Sequence, residues 1–412
     1  MNILFLSHRV PFPPNKGEKI RTFHQIKHLL EQGHTVSVLA PYEKDQELAY
    51  FTALTQQFGV KAQGVKLGNK WLRMLSGLLL NNALSVSNFY STSLMTLFKQ
   101  ECLEQDYDVI ICTASSMAEY VFNSVFLSHN SLPNKPSLLM DFMDLDSDKW
   151  QQYCQRGTFP MSLIYKREAT LIARYEKKIV KHFNDCFFIT ETEKALFCQD
   201  GIDASRVHAI ENGIDTDTFK PNPMRTIQAH FLFTGVMDYA PNIDAVMWFV
   251  QHIWPAIIER WPAAQFNIVG MDPTDKVKAL SQVDGIHVSG FVDDVMPYFD
   301  NSAIFVAPFR IARGVQNKVL QAFACGLPVV STPMGAEGIR CEDQHDILLA
   351  EQPAEFVTHI AALLADEHFY HKISANAVET IKAHYAWESV LAPLDAVLQN
   401  QLIQPSVTAD SV

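Results

Sequence analysis

The sequence predicts an α/β protein made of two Rossmann-like, doubly wound parallel-sheet domains, and three observations lead there. Short apolar runs alternate with helical patterns along the whole chain, as in a parallel sheet covered by helices on both faces. The alternation breaks around residues 212–223, where Asn212, Gly213, Pro221 and Pro223 oppose regular structure, and then restarts. The chain has 412 residues, 48% of them hydrophobic, which exceeds one ordinary core and suits two.

The first strand is expected at residues 3–6. The run from Asn2 to Ser7 is apolar, but no basic segment precedes it, so it reads as a buried strand and not as a signal peptide. Further strands are expected at 35–40, 108–112, 137–141, 186–190 and 207–210, with helices between most of them. The second series runs through 230–234, 265–269, 286–288, 303–307, 328–331 and 347–349. The last helical stretch, 385–402, carries Trp387, Leu391, Leu394 and Val397 at helical spacing, and is expected to pack back on the first domain with a kink at Pro393. This places the domains at 1–212 and 213–384, with 403–412 as a flexible tail. The longest apolar tract elsewhere, Trp71 to Leu80, contains Arg73 and is well short of the roughly 20 residues of a spanning helix. No transmembrane helix is therefore expected, and the scattered cysteines make a reduced cytoplasm the simplest compartment.

A net charge of −12 argues against nucleic acid as a partner, because phosphate binding needs an excess of Lys and Arg. The seven cysteines are scattered, with no paired CxxC and no neighbouring His at ligand spacing, so neither a metal site nor a disulfide framework is expected.

The most informative segment is 307–330, which reads as strand, basic Gly-containing loop, helix, strand. Gly314 permits close backbone approach, free N–H groups at the helix start favour an anion, and Arg310, Arg313 and Lys318 add positive charge. A diphosphate fits that combination, and cations fixed there would stabilise the charge of a departing diphosphate. A surface loop with solvated charges is the plainer alternative.

This segment resembles the signature of the family 4 retaining glycosyltransferases, whose fold is called GT-B. The resemblance implies catalytic roles for Arg310 and Lys318, and donor contacts from Arg313, Gly314, Val315, Gln316, Asn317 and Gln321. Arg313 and Gln321 stand where the family usually has glutamates, and Gln321 keeps an acceptor oxygen without the charge. Residues 211–215 resemble the family's domain junction, and 233–242 the first loop of its nucleotide domain. There Gly235 can make a tight turn near phosphate, while Asn242 either contacts the donor or simply caps the next helix. Residues 290–294, including Val292, resemble the segment whose backbone meets the nucleobase. Glu337 would accept hydrogen bonds from donor hydroxyls. The Pro-rich stretch 8–21 resembles the loop that covers the donor, with Gly17 at the start of its helix.

After the strand at 137–141 comes an acidic stretch with Asp141, Asp144, Asp146 and Lys149. It suits the positioning or deprotonation of an acceptor hydroxyl, or a metal; alternatively Ser147 or Asp146 caps a helix and the other carboxylates are solvated. Together with 115–120 it resembles exopolysaccharide glycosyltransferases associated with bacterial exosortase systems. Between 164 and 183, Ile164, Leu171, Tyr175 and Ile179 alternate with a stripe of Arg167, Arg174, Lys178 and Lys181. Such a basic amphipathic helix either docks on the inner-membrane surface or turns its apolar face to the core.

The resemblance thus implies transfer, with retention, of a sugar from a nucleotide diphosphate donor to a saccharide or polyprenyl-linked acceptor in bacterial exopolysaccharide biosynthesis. No cofactor is implied, because the nucleotide sugar is a substrate. Two alternatives stay open: a sugar-nucleotide epimerase of the same fold, and a non-catalytic nucleotide-sugar-binding or scaffold protein.

Overall fold

The computed structural model describes residues 1–15, 17–124, 135–156, 158–199, 201–311 and 314–403. The chain divides into two compact units, Met1–Asn212 with Val390 onward, and Gly213–Ser389.

The first unit holds a seven-stranded sheet: β1 (Asn2–Ser7), β2 (Thr35–Tyr42), β3 (Lys61–Lys66), β4 (Val109–Thr113), β5 (Ser137–Met143), β6 (Asp185–Phe188) and β7 (Val207–Ala209). Their spatial order is β3-β2-β1-β4-β5-β6-β7, and every pairing is parallel. β1 and β4 run apolar almost throughout because both of their faces are covered by helices. The helices used below are α1 (Gly17–Glu31), α2 (Leu48–Phe58), α3 (Lys70–Leu79), α4 (Leu84–Phe89), α5 (Asp146–Arg156) and α6 (Met161–His182).

β3 is a strand that sequence pattern misses. It is an edge strand with lysines at both ends and half-buried residues between, so it lacks the apolar run that marks its neighbours. Its Gly64 lets Phe51 of α2 lie against the backbone: a Cβ there would sit 2.2 Å from the Phe51 ring.

The second unit holds β8 (His230–Thr234), β9 (Gln265–Val269), β10 (Ile286–Gly290), β11 (Ile304–Ala307), β12 (Val329–Ser331) and β13 (Leu348–Leu349), ordered β10-β9-β8-β11-β12-β13 and again all parallel. Its site-forming helices are α7 (Ala240–His252) and α8 (Asn317–Ala324). Each unit has its own buried apolar cluster.

The C-terminal stretch is two helices, not one kinked helix. Trp387–Val390 is a single turn, and α9 (Ala392–Ile403) starts afresh with Pro393 in its first turn, where a missing N–H costs nothing. α9 belongs to the first unit, where Asp395 meets the buried His28 of α1 at 2.9 Å. The expected tail lies outside the described residues from 404 onward. Among the described residues no helix is long and apolar enough to cross a membrane, and no metal-binding cluster occurs.

Candidate functional site

In the second unit the loops leaving β8, β9 and β10 are laced together at the carboxyl edge of the sheet. Gly235 N–H donates to Val269 O at 2.9 Å, Met237 N–H to Met271 O at 2.8 Å, and Gly270 N–H to Gly290 O at 3.2 Å. A Cβ on Gly270, whose φ is +152°, would lie 1.7 Å from Gly235 O, so two backbones touch where only glycine fits. A Cβ on Gly235 would meet the Asn242 amide at 2.7 Å.

Asn242 is not the helix cap. α7 starts two residues earlier, after Tyr239, and the buried Asn242 amide bridges two partners from inside the first turn. Its Nδ2 donates to Val236 O at 2.9 Å, and its Oδ1 accepts from Lys318 Nζ at 2.7 Å. Lys318 stands in the first turn of α8, beneath the loop of Gly314, whose φ is +70°. Its ammonium also lies 4.8 Å and 5.3 Å from the Phe309 and Phe233 ring centroids. Burial pushes its pKa down to about 8, and no carboxylate counters that shift. Lys318 is therefore a desolvated cation held by neutral groups and suited to meet an anion.

Arg310 is placed differently. Its guanidinium binds Asp244 through Nε–Oδ2 at 3.1 Å and Nη2–Oδ1, with its Cζ 5.8 Å from the Trp248 ring centroid. It is half exposed and already paired, so it brings less uncompensated charge than the bare sequence suggests. Arg313 lies outside the described residues.

The surrounding loop residues assemble at the same edge. Gln316 precedes α8 as its N-cap and donates through Nε2 to Gly314 O at 3.0 Å; Val315 and Asn317 are exposed, and Gln321 is half buried one turn into α8. The exposed Glu337 sits beside this loop, because a Cβ on its neighbour Gly338 would be 3.2 Å from a Val315 methyl. Val292 is half buried against the core of the unit.

The first unit carries its own cavity, about 530 Å³, at the carboxyl ends of β1, β4 and β5. Asp144, Asp146 and Lys149 line it, with His8, Glu18, Ser115 and Ser116. Lys149 Nζ lies 3.1 Å from Asp146 and 3.8 Å from Asp144. Burial opposes the charge on Lys149, but the two carboxylates outweigh it and raise its pKa. Burial, and then the Arg9 charge, push the His8 imidazole down to about 4, so it is neutral near pH 7. The buried Ser116 hydroxyl has no hydrogen-bond partner among the described residues. Two adjacent strand ends hold non-glycine residues in the left-handed region, Ala114 at φ +68° and Met143 at φ +65°. Strain of this kind, about 1–3 kcal/mol per residue, gathers at binding sites.

Asp141 does not open into that cavity. It is fully buried, and its carboxylate accepts from Arg21 at 2.7 and 3.1 Å, from Gln25 at 2.6 Å and from Met143 N–H at 3.2 Å. Its part is to tie α1 to β5. Gly17 begins α1 in open space. From Leu171 onward the apolar stripe of the helix at 164–183 turns inward: Ile179 is buried, and Leu171 and Tyr175 pack against Ala83, Val86 and Ile172, while Ile164 at its start stays exposed.

Sequence reading missed Asp244, Trp248, Gly270 and the Phe233 and Phe309 rings around Lys318. An acidic residue two places after Asn242 was the visible hint, yet its partner Arg310 is 66 residues away.

Comparison with known proteins follows the same division. A model described as Glycosyltransferase Family 4 matches residues 17–218, and one described as Glycosyl transferases group 1 matches residues 228–366. An uncharacterized 44.6 kDa protein in the cps region of Klebsiella pneumoniae is 21% identical, over 95% of this chain and 98% of its own. Anabaena HepE in complex with UDP superposes with a TM-score of 0.58 at 15% identity, over 97% of this chain and 100% of its own. Sucrose-phosphate synthase from Thermosynechococcus elongatus gives 0.57 at 15% identity, over 98% and 99%. Two glycosyltransferase models match the two parallel-sheet units in turn, and the chain belongs to the family 4 glycosyltransferases of the GT-B fold.

Proposed function

We propose that this enzyme transfers a sugar, with retention of configuration, from a nucleotide diphosphate donor to a saccharide or polyprenyl-linked acceptor in bacterial exopolysaccharide biosynthesis. The observation that carries the donor assignment is Lys318, a half-buried ammonium with a neutral hydrogen-bond partner at a helix start. As the bond between the sugar and the diphosphate breaks, negative charge grows on the leaving oxygen, and a preorganised cation there lowers the barrier. Arg310, held by Asp244, adds a second donor group. The acceptor hydroxyl attacks the sugar carbon on the same face, and its proton passes to the departing phosphate oxygen.

Gln321 and Glu337 are assigned to hydroxyls of the donor. Asp144, Asp146 and Lys149 are assigned to the acceptor through the cavity they line. No cofactor takes part. HepE, solved with UDP and with UDP-glucose, supports a nucleotide-sugar donor, and the cps-region relative supports a role in surface polysaccharide. Membership of the exosortase-associated subgroup and a cytoplasmic site on the inner-membrane surface complete the proposal.

A thermal-shift panel of UDP-, GDP-, ADP- and TDP-sugars tests it, run on the wild type and on Lys318→Ala. One donor is expected to raise the wild-type melting temperature selectively and to lose that effect in the variant. No shift from any donor at millimolar concentration, in folded protein, would overturn the donor assignment.

A further inference from the structure

α3 buries one narrow face and leaves the rest apolar and bare. Asn69 caps it by accepting from Trp71 N–H at 2.9 Å. Gly77 packs so closely on α4 that a Cβ would sit 2.5 Å from the Ser87 hydroxyl, and Arg73 Nε donates to Asn88 O at 2.7 Å. Arg73, Met74 and Gly77 thus face inward, while Trp71, Leu72, Leu75, Leu78, Leu79 and Leu80 face solvent, Trp71 at 80% and Leu79 at 79% exposure. A water-soluble surface rarely presents that much contiguous apolar area.

A second element continues the patch. Phe159, Met161 and Leu163 are exposed at the start of α6, which is tied to the end of α3 by Arg167 donating to Asn82 O at 3.1 Å. Lys70 and Met74 of α3 and Met161 and Ile164 of α6 line the same cavity as Asp144, Asp146 and Lys149.

Charge identifies the occupant. Residues 67–100 contain Lys70, Arg73 and Lys99 and no carboxylate, and residues 149–167 contain Lys149, Arg156, Lys166 and Arg167 and no carboxylate, in a chain whose net charge is −12. The two segments that build this apolar patch are both free of acid. Arg73, Arg167 and Lys149 are paired with Glu43, Glu168 and Asp146, but Lys70 of α3 and Lys166 of α6 are exposed. An apolar helical face with a Trp and exposed lysines at its edge fits an anionic bilayer surface, which takes leucine into the acyl boundary and attracts Lys.

We propose that α3, with the segment from Phe159 to Leu163, inserts shallowly into the anionic face of a lipid bilayer and holds the cavity of the first unit at that surface. This deepens the membrane association proposed above by naming the surface, and its test uses no donor, so it can fail without touching the transfer reaction.

The full-length chain is sedimented with vesicles of phosphatidylglycerol and phosphatidylethanolamine, and with phosphatidylcholine vesicles. The wild type should pellet with the anionic vesicles and much less with the zwitterionic ones. Leu72→Ser/Leu75→Ser/Leu79→Ser should lower the partition coefficient at least about tenfold. Brominated lipid should quench the wild type more than Trp71→Phe, a readout that does not depend on the triple variant folding. Equal pelleting of wild type and triple variant, or equal quenching of wild type and Trp71→Phe, would overturn the proposal. So would a wild type that ignores vesicles and instead forms a dimer, in analytical ultracentrifugation, that the triple variant abolishes.

Discussion

Lys318 Nζ and Asn242 Oδ1, 76 positions apart in the chain, meet at 2.7 Å inside the second unit. A neutral amide orients the ammonium without cancelling its charge, and this distinguishes it from Arg310, which a carboxylate already balances. Asn242→Asp would supply a buried counter-charge and raise the Lys318 pKa. Titration calorimetry should show donor binding weakened at least about fivefold by Asn242→Asp and at least about tenfold by Lys318→Ala. Wild-type affinity in Asn242→Asp would show that the Lys318 charge is not what the donor meets.

The depressed Lys318 pKa gives donor affinity a pH dependence. Burial holds the free protein's value near 8, so the ammonium is mostly charged at pH 7 and mostly neutral at pH 9. Affinity should fall roughly tenfold between those values, because only the charged form attracts the diphosphate. Lys318→Arg keeps its charge throughout and should bind with a flat profile. Parallel profiles in the two proteins would assign the titration to another group.

Arg21 and Asp141 form a buried pair in the first unit. Asp141→Ala leaves the guanidinium buried without its counter-charge, at an expected cost of about 3–5 kcal/mol in urea unfolding. Arg21→Met/Asp141→Leu should recover much of that loss, because it removes both charges. A double variant as unstable as the single one would show that the hydrogen bond Asp141 accepts from Gln25, and not its charge, holds α1 to β5.

Glu176 is buried, accepts from Ser147 N–H at 3.1 Å through Oε1, and has no partner for Oε2 among the described residues. Burial pushes its pKa up from 4.5 to about 8. Between those values the folded chain keeps a proton that the unfolded chain has lost, so this residue's contribution to stability declines as pH rises through the window. Glu176→Gln should match the wild-type melting temperature near pH 5 and exceed it by at least about 2 °C at pH 8.5. A melting difference that does not change with pH would place the titration elsewhere.

Twelve of the thirteen strands among the described residues were legible in the sequence, because a parallel strand covered on both faces must be apolar along its length. β3 escaped because an edge strand needs no such run. The loop of Arg310, Gly314 and Lys318 was legible for a similar reason: its strand, loop and helix are contiguous. What sequence could not show was which cation would be neutralised. That depends on Asp244 and Asn242, two positions apart at the start of α7, each meeting a residue of a distant loop. Asn242 in a first turn looks like a cap, and only the neighbouring ammonium reveals otherwise. Asp141 misled in the opposite way, since a carboxylate at a strand end looks available until Arg21 is found beside it.

The path of the chain sets an order of assembly. Residues 213–389 are a closed unit spliced into the first one, entering at Gly213, which packs on Trp387, and leaving just beyond it. Emerging from a ribosome, the seven strands of the first sheet precede the second unit, but the helix that joins them through Asp395 to His28 follows it. The second unit can finish folding while the first still lacks α9, so a helix that follows the second unit decides when the first is complete.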